Sequence, residues 1–143
     1  MKSRLFLFML VVISAGLSFP VFSGNARGES YVKFSESADD DVSYYDESNV
    51  KRISGTVKVW TKDIWGQKMR SLKRKGVPIK GYENLTYSIS LVELSCKDMT
   101  YRVLSYTDYD KEGTVLYISH PQSHWNRVLP GSMCEDLKNH VCR

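Results

Sequence analysis

Five cations lie within eight residues near the middle of the chain, with no acid among them: Lys68, Arg70, Lys73, Arg74 and Lys75. Such a density of positive charge attracts polyanions, including sulfated glycans, the phosphates of lipopolysaccharide and acidic proteins. The other interpretation is an ordinary solvated face. An acidic segment between residues 36 and 47 would then balance the charge, within the molecule or between copies.

The element that carries these cations is open to two interpretations. Trp65, Met69 and Leu72 are spaced by four and three residues, which would place them on one helical face with the cations opposite. Gly76 and the proline two residues later provide a stop signal for such a helix. Gly66 argues against a helix, so residues 62–75 are either a helix or a long connection between strands.

Three cysteines provide the second possible chemistry: Cys96, Cys134 and Cys142. An odd number leaves one thiol without an internal partner. Cys134 and Cys142 are eight residues apart in one predicted helix, roughly 12 Å by helical rise. Since a disulfide needs α-carbons within about 7 Å, Cys96 pairs with one of them. The other is free or forms an intermolecular bond, which allows a homodimer.

Other catalytic and ligand-binding patterns are missing from the sequence. It contains neither a glycine-rich phosphate loop nor a serine elbow, and the acidic run at 39–41 lacks the spacing of a calcium-binding loop. His120 and His124 are separated by Pro121, and no third ligand accompanies them. We therefore predict no metal site, no cofactor and no enzymatic activity.

The N-terminus has the layout of a secretory signal peptide over residues 1–23. Lys2 and Arg4 precede an uncharged apolar run at 5–17, and Val21 and Ser23 occupy the small-residue positions of a cleavage site. The run is too short to span a bilayer. Its removal leaves a single domain at 24–143, with 24–30 as a disordered lead-in, and lowers the formal net charge of +4 by two. Charge alone therefore excludes a nucleic-acid binder, and no transmembrane segment remains.

The mature chain is rich in strand-forming residues and predicts an α+β fold. Strands are expected at 31–34, 42–45, 55–61, 85–96, 101–107 and 114–119, with a turn at 108–113 joining the last two in a hairpin. In the strand at 55–61, Val57 and Val59 would face the core. Ser132 and Glu135 form a capping-box pattern that starts a C-terminal helix, and Leu137 lies on its apolar stripe.

Most of the mature chain resembles the surface-adhesin protein E family of Gram-negative bacteria. The similar motifs occur in order at 44–46, 57–60, 91–96 with 101–104, 109–116, 125–132 and 141–142. The resemblance implies an antiparallel sheet of about five or six strands, with a C-terminal helix held against it by a Cys96–Cys142 disulfide. Cys134 departs from the family pattern, and no family motif matches the cationic segment.

The family resemblance implies an exported, non-enzymatic, adhesin-like binding protein, in the periplasm or on the outer cell surface of a Gram-negative bacterium. The resemblance implies a host extracellular-matrix protein as the partner. The cations at 68–75 are the candidate binding residues on the ground of their charge rather than of the resemblance, and they favour an anionic glycan such as lipopolysaccharide. The alternative is a periplasmic structural or assembly factor of the envelope. Such a factor would act through a sheet edge or through the thiol of Cys134.

Overall fold

The computed structural model describes residues 30–76, 80–121 and 124–143. Within these ranges the elements are β1 (Tyr31–Glu36), β2 (Val42–Asp46), β3 (Lys51–Ile53), β4 (Thr56–Ile64), α1 (Gln67–Gly76), β5 (Tyr87–Ser95), β6 (Thr100–Tyr109), β7 (Val115–Ser119), β8 (Asn126–Arg127) and α2 (Met133–Val141). Short 3-10 turns cover Glu47–Asn49 and Tyr82–Asn84. The predicted signal peptide and nearly all of the predicted lead-in lie outside the described residues.

The strands form a single antiparallel sheet. Six of them follow the order β1-β2-β4-β5-β6-β7, while the short β3 pairs with β4 and the two-residue β8 pairs with β6. The longest pairings are β4 with β5 and β5 with β6, so these three strands form the centre of the sheet. The predicted α+β class with an antiparallel sheet is confirmed, and β3 and β8 are the strands that the sequence did not predict.

Alternate residues of β4 point to opposite faces of the sheet. One set is buried and defines what we call the inner face: Val57, Val59, Thr61 and Asp63. The other set lies on the outer face, where the side chains of Trp60 and Ile64 remain more than one-third exposed. The predicted inward direction of Val57 and Val59 is confirmed, and both helices pack on this inner face.

The hydrophobic core lies between the inner face and α2. It consists of buried apolar residues from four strands and the helix: Phe34, Tyr45, Val57, Val59, Val92, Leu94, Leu137 and Val141. At the start of α2 the Ser132 side chain accepts a hydrogen bond from the Glu135 amide at 3.3 Å, as the capping box predicts. The Glu135 carboxylate accepts from the Gly131 amide at 2.7 Å, one residue earlier than that pattern requires.

The far end of α2 is attached covalently to the end of β5. Cys96 and Cys142 form a disulfide with their α-carbons 5.7 Å apart. The pairing implied by the family resemblance is confirmed, and Cys134 is the free cysteine.

Two local predictions are wrong. Asp108 was placed in a turn, but β6 continues through Tyr109, so that Asp108 is a fully buried strand residue. Residues 67–76 do form a helix, but the predicted apolar face is only partly packed: Met69 is half-buried, Leu72 is 53% exposed, and Trp65 precedes the helix. The helix is rotated because a lysine rather than Leu72 lies against the sheet.

Candidate functional site

Helix α1 begins against the acidic loop that joins β1 to β2. The Gly66 amide donates a hydrogen bond to Asp41 Oδ1 at 2.7 Å, and Lys68 pairs with Asp39 at 2.8 Å. A Cβ atom on residue 66 would lie 1.9 Å from the Asp39 carbonyl oxygen, so only glycine fits this approach. Gly66, which weakened the helix prediction, is therefore the residue that allows the loop to contact the start of α1.

Lys73 is the cation of α1 that faces the sheet. Its Nζ lies 3.2 Å from Asp108 Oδ1 and 3.3 Å from Ser88 Oγ. The ammonium also lies over the ring of Trp65, 4.7 Å from its centroid, a cation–π arrangement. Because α1 contains no buried residue, this lysine provides its main attachment to the inner face.

Asp108 is the centre of the polar cluster beneath α1. Its carboxylate accepts hydrogen bonds from Ser88 Oγ and from Tyr82 Oη, the latter at 2.5 Å. Burial, followed by this hydrogen bond to Asp108, raises the pKa of Tyr82. Trp65 Nε1 donates to Ser88 Oγ at 2.6 Å and extends the cluster to the start of the helix. A fully buried carboxylate is tolerated here because it has both a cation and two hydroxyl donors.

The other four predicted binding residues divide into two groups. Lys68, Arg74 and Lys75 are exposed, although Lys68 already pairs with Asp39. Arg70 is half-buried in a groove of about 360 Å³ that Glu83 and Glu112 also line, and its Nε atom is buried without a hydrogen-bond partner. The structure therefore leaves three of the five cations directed to solvent.

A shallow depression of about 550 Å³ lies between α1 and the acidic loop. Lys68 and Lys75 line one side and Asp39 and Asp40 the other, with the exposed Leu72 between them. The two acids reduce the positive potential at this edge of α1. Any polyanion would therefore bind nearer Arg74 and Lys75 than Lys68.

A second polar cluster lies on the inner face between the two helices. Ser43 Oγ donates to Asp63 Oδ1 at 2.7 Å, and burial raises the pKa of the Asp63 carboxyl to about 6 despite this bond and the nearby charge of Lys73. Burial likewise raises the pKa of the Cys134 thiol, although a hydrogen bond with Tyr101 opposes the rise. A thiol with a raised pKa is a poor nucleophile at neutral pH, which argues against thiol catalysis.

Asp63 and Asp108 were missed in the sequence for different reasons. The predicted strand at 55–61 ends three residues before β4 does, and continuing its alternation places Asp63 on the inner face. Asp108 precedes a run of turn-forming residues, so its local sequence favours a turn over the end of a strand. The register of β6 against β5 is what buries it.

Within residues 30–76, 80–121 and 124–143, no group of three or more potential metal ligands comes together. His120 and His124 are exposed. His140 is half-buried and packs against the rings of Phe34 and Tyr45 at the edge of the core. None of the helices in the described part of the chain is long and apolar enough to cross a membrane.

The fold defines a class of small α+β domains in which an antiparallel sheet is covered by a terminal helix and locked by a disulfide. The family model of Surface-adhesin protein E matches residues 31–143, which is most of the chain. The chain therefore belongs to the surface-adhesin protein E family, and the resemblance predicted from the sequence is confirmed. No curated protein matches the sequence. Family membership makes this an adhesin-like protein.

Proposed function

We propose that this protein is an exported binding protein of the bacterial envelope that holds a polyanion or an acidic host-matrix protein against α1. The signal-peptide pattern at 1–23 and the disulfide support export, because disulfides persist in oxidising compartments. Family membership supports adhesion as the task. The main binding residues would be Arg74 and Lys75, with Lys68 and Arg70 at the margin.

The observation that supports this proposal is that the cations of α1 have different roles. Lys73 holds the helix to the sheet, whereas Arg74 and Lys75 are exposed and form no ion pair with a described residue. Both cations lie in the last turn of α1, where they complement the helix dipole and remain available to an anionic partner. Their solvated position suits an electrostatic contact whose strength falls with added salt.

A heparin column tests the binding surface, because heparin is a soluble sulfated polyanion. We expect the wild-type domain 24–143 to be retained at low salt, and Arg74→Glu/Lys75→Glu to elute at clearly lower salt. The matched control is Lys51→Glu/Lys97→Glu, which changes the net charge equally at exposed positions of β3 and of the turn after β5. Equal elution of the two double variants would contradict a specific site on α1.

Lys73 is unsuitable for this test, although the sequence placed it among the binding cations. Its substitution would remove the partner of the buried Asp108 and release the helix, so weaker binding could reflect lost structure. Variants of Arg74 and Lys75 avoid this ambiguity because both side chains are exposed.

Accessibility on intact cells tests the compartment. An antibody against the folded domain should label intact cells of the native host if the domain is displayed outside. Labelling that appears only after the outer membrane is opened would contradict adhesion and would favour a periplasmic task.

The outer edge of β7 supports a second candidate, a periplasmic assembly factor. β7 ends the strand order of the described sheet, and Val115 and Ile118 on it are 48% and 55% exposed. An exposed apolar edge strand can pair with a strand of another protein. Ile118→Lys should then prevent capture of an envelope partner, whereas Arg74→Glu/Lys75→Glu should not.

A dimer linked through Cys134 receives less support than the sequence suggested. The thiol is half-buried and lines a cavity beneath α2, so an intermolecular disulfide would require the helix to open. A non-reducing gel of the purified domain tests this, and a prominent dimer band that Cys134→Ser removes would show that the opening occurs.

A further inference from the structure

A cavity of about 190 Å³ lies on the inner face, beside the first turn of α2. Its walls are mainly apolar, and the residues that supply them are Phe34, Val92, Val103, Met133 and Leu137. The polar groups in the lining come from Thr61, Asp63, Ser90, Tyr101 and Cys134. The binding surface proposed on α1 does not use this cavity.

Asp63 is the unusual residue in the cavity wall. The residue is only 5% exposed, and it forms no ion pair within the described part of the chain. Its one hydrogen bond to a described side chain comes from Ser43. A buried carboxylate in this situation is costly, and a bound cation would offset that cost.

The contrast with Asp108 shows what is missing at Asp63. Asp108 is equally enclosed, but Lys73 pairs with it and Tyr82 donates to it. Asp63 instead lines the cavity, and no side-chain cation of the described residues lies within ion-pair distance of its carboxylate. The carboxylate and the apolar walls together match a ligand that has a positive head and an apolar body.

We propose that this cavity binds a small organic cation, namely a primary ammonium group on a compact apolar stem. The ammonium would pair with the Asp63 carboxylate, and the stem would lie among Phe34, Val103 and Leu137. The size is suitable, because an engineered apolar cavity of about 150 Å³ in another protein binds benzene. The site is independent of the polyanion surface on α1, so either proposal can fail alone.

Three probes of nearly equal size test the proposal by NMR titration of the wild-type domain at neutral pH. These probes are benzylamine, benzyl alcohol and phenylacetate. For benzylamine we expect saturable chemical-shift changes at the amides around Asp63, Tyr101 and Cys134. Benzyl alcohol should bind at least about tenfold more weakly, and phenylacetate should not bind. Equal affinity for amine and alcohol would overturn the proposal, as would no binding of benzylamine or shifts located elsewhere.

Asp63→Asn provides the matched variant, since an amide oxygen can still accept the hydrogen bond from Ser43. It should weaken benzylamine binding at least about tenfold and leave the weak binding of benzyl alcohol unchanged. Glu112→Gln, at an exposed residue of the turn between β6 and β7, removes the same charge far from the cavity and should change neither. Benzylamine affinity that survives Asp63→Asn would overturn the assignment.

Cys134 provides a second readout that does not depend on a variant. It is the free thiol of the chain and lines the same cavity. Bound benzylamine should slow its modification by a thiol-reactive dye at least severalfold, whereas an equal concentration of phenylacetate should not. Unchanged rates at benzylamine concentrations that saturate the NMR shifts would place the ligand outside the cavity and contradict the proposal.

Discussion

The two helices lie on the same face of one sheet but are held there by different interactions. Helix α2 buries Leu137 and Val141 in the core and is joined to β5 by the Cys96–Cys142 disulfide. Helix α1 buries no residue and depends on Lys73, with the acidic loop at its start. The end of the inner face beneath α2 therefore provides most of the stability, whereas the end beneath α1 exposes positive charge and buries little apolar surface.

Removal of the disulfide should have the largest effect on this comparison. Cys96→Ala/Cys142→Ala should lower the free energy of unfolding by about 4 kcal/mol, because the bond closes a long loop in the unfolded chain. Urea denaturation measures this loss. Cys134→Ser, which leaves the bond intact, should cost about 1 kcal/mol or less. Similar losses for both variants would contradict the predicted contribution of the Cys96–Cys142 bond to stability.

The next prediction compares one leucine from each helix. Leu137→Ala should destabilise the domain by about 3 kcal/mol, because Leu137 is 2% exposed in the core. Leu72→Ala should change stability by only about 0.5 kcal/mol, since Leu72 is 53% exposed. Chemical denaturation of both variants measures these losses. A larger loss for Leu72→Ala than for Leu137→Ala would contradict the proposed difference between the two helices.

Lys73→Met tests whether α1 depends on a single cation. It leaves Asp108 buried without its charge partner, and we expect a loss of about 2 kcal/mol, limited because Tyr82 and Ser88 still donate to the carboxylate. Urea unfolding measures the loss, and circular dichroism in the near ultraviolet should report the freed Trp65. The exposed control Lys75→Met should change neither the free energy of unfolding nor the near-ultraviolet spectrum. Equal effects of the two variants would contradict the attachment of α1 through Lys73.

Asp63→Asn should increase stability at neutral pH. The folded-state pKa of about 6 lies above the ordinary value of 3.8, so the folded protein binds this proton more tightly than the unfolded chain. The carboxyl group therefore destabilises the fold progressively as pH rises from 3.8 to about 6. The variant should gain about 3 kcal/mol at pH about 7.5, because the two pKa values differ by roughly two units, and only about 0.5 kcal/mol at pH about 4. Urea unfolding at both pH values measures this gain. An equal gain at both would show that ionisation of the Asp63 carboxyl is not its cause.

Most of the sheet and all of α2 could be predicted because their signals are local. Alternation marked β4, a capping pattern at Ser132 marked the start of α2, and the family resemblance implied the pairing of Cys96 with Cys142. The strands β3 and β8 could not be predicted, because three exposed residues and two exposed residues have no internal pattern. Their pairing partners alone define them.

The candidate site could be predicted only in part, because its key contacts join residues that are distant in sequence. The five cations were identified, but nothing near Lys73 shows that it pairs with Asp108 while its neighbour Arg74 faces solvent. Apolar spacing favoured Leu72 as an inward residue. The polar cluster beneath α1 instead determines how that helix is rotated.

Native-state hydrogen exchange of the wild-type domain tests the contrast between the two helices most directly. We expect the amides in the middle of α2 to exchange only through global unfolding, and those in the middle of α1 to exchange through a local opening at least about tenfold more often. Added urea should accelerate exchange in α2 but hardly in α1, because little surface is exposed when α1 opens. Equal protection and equal urea dependence in the two helices would contradict the account.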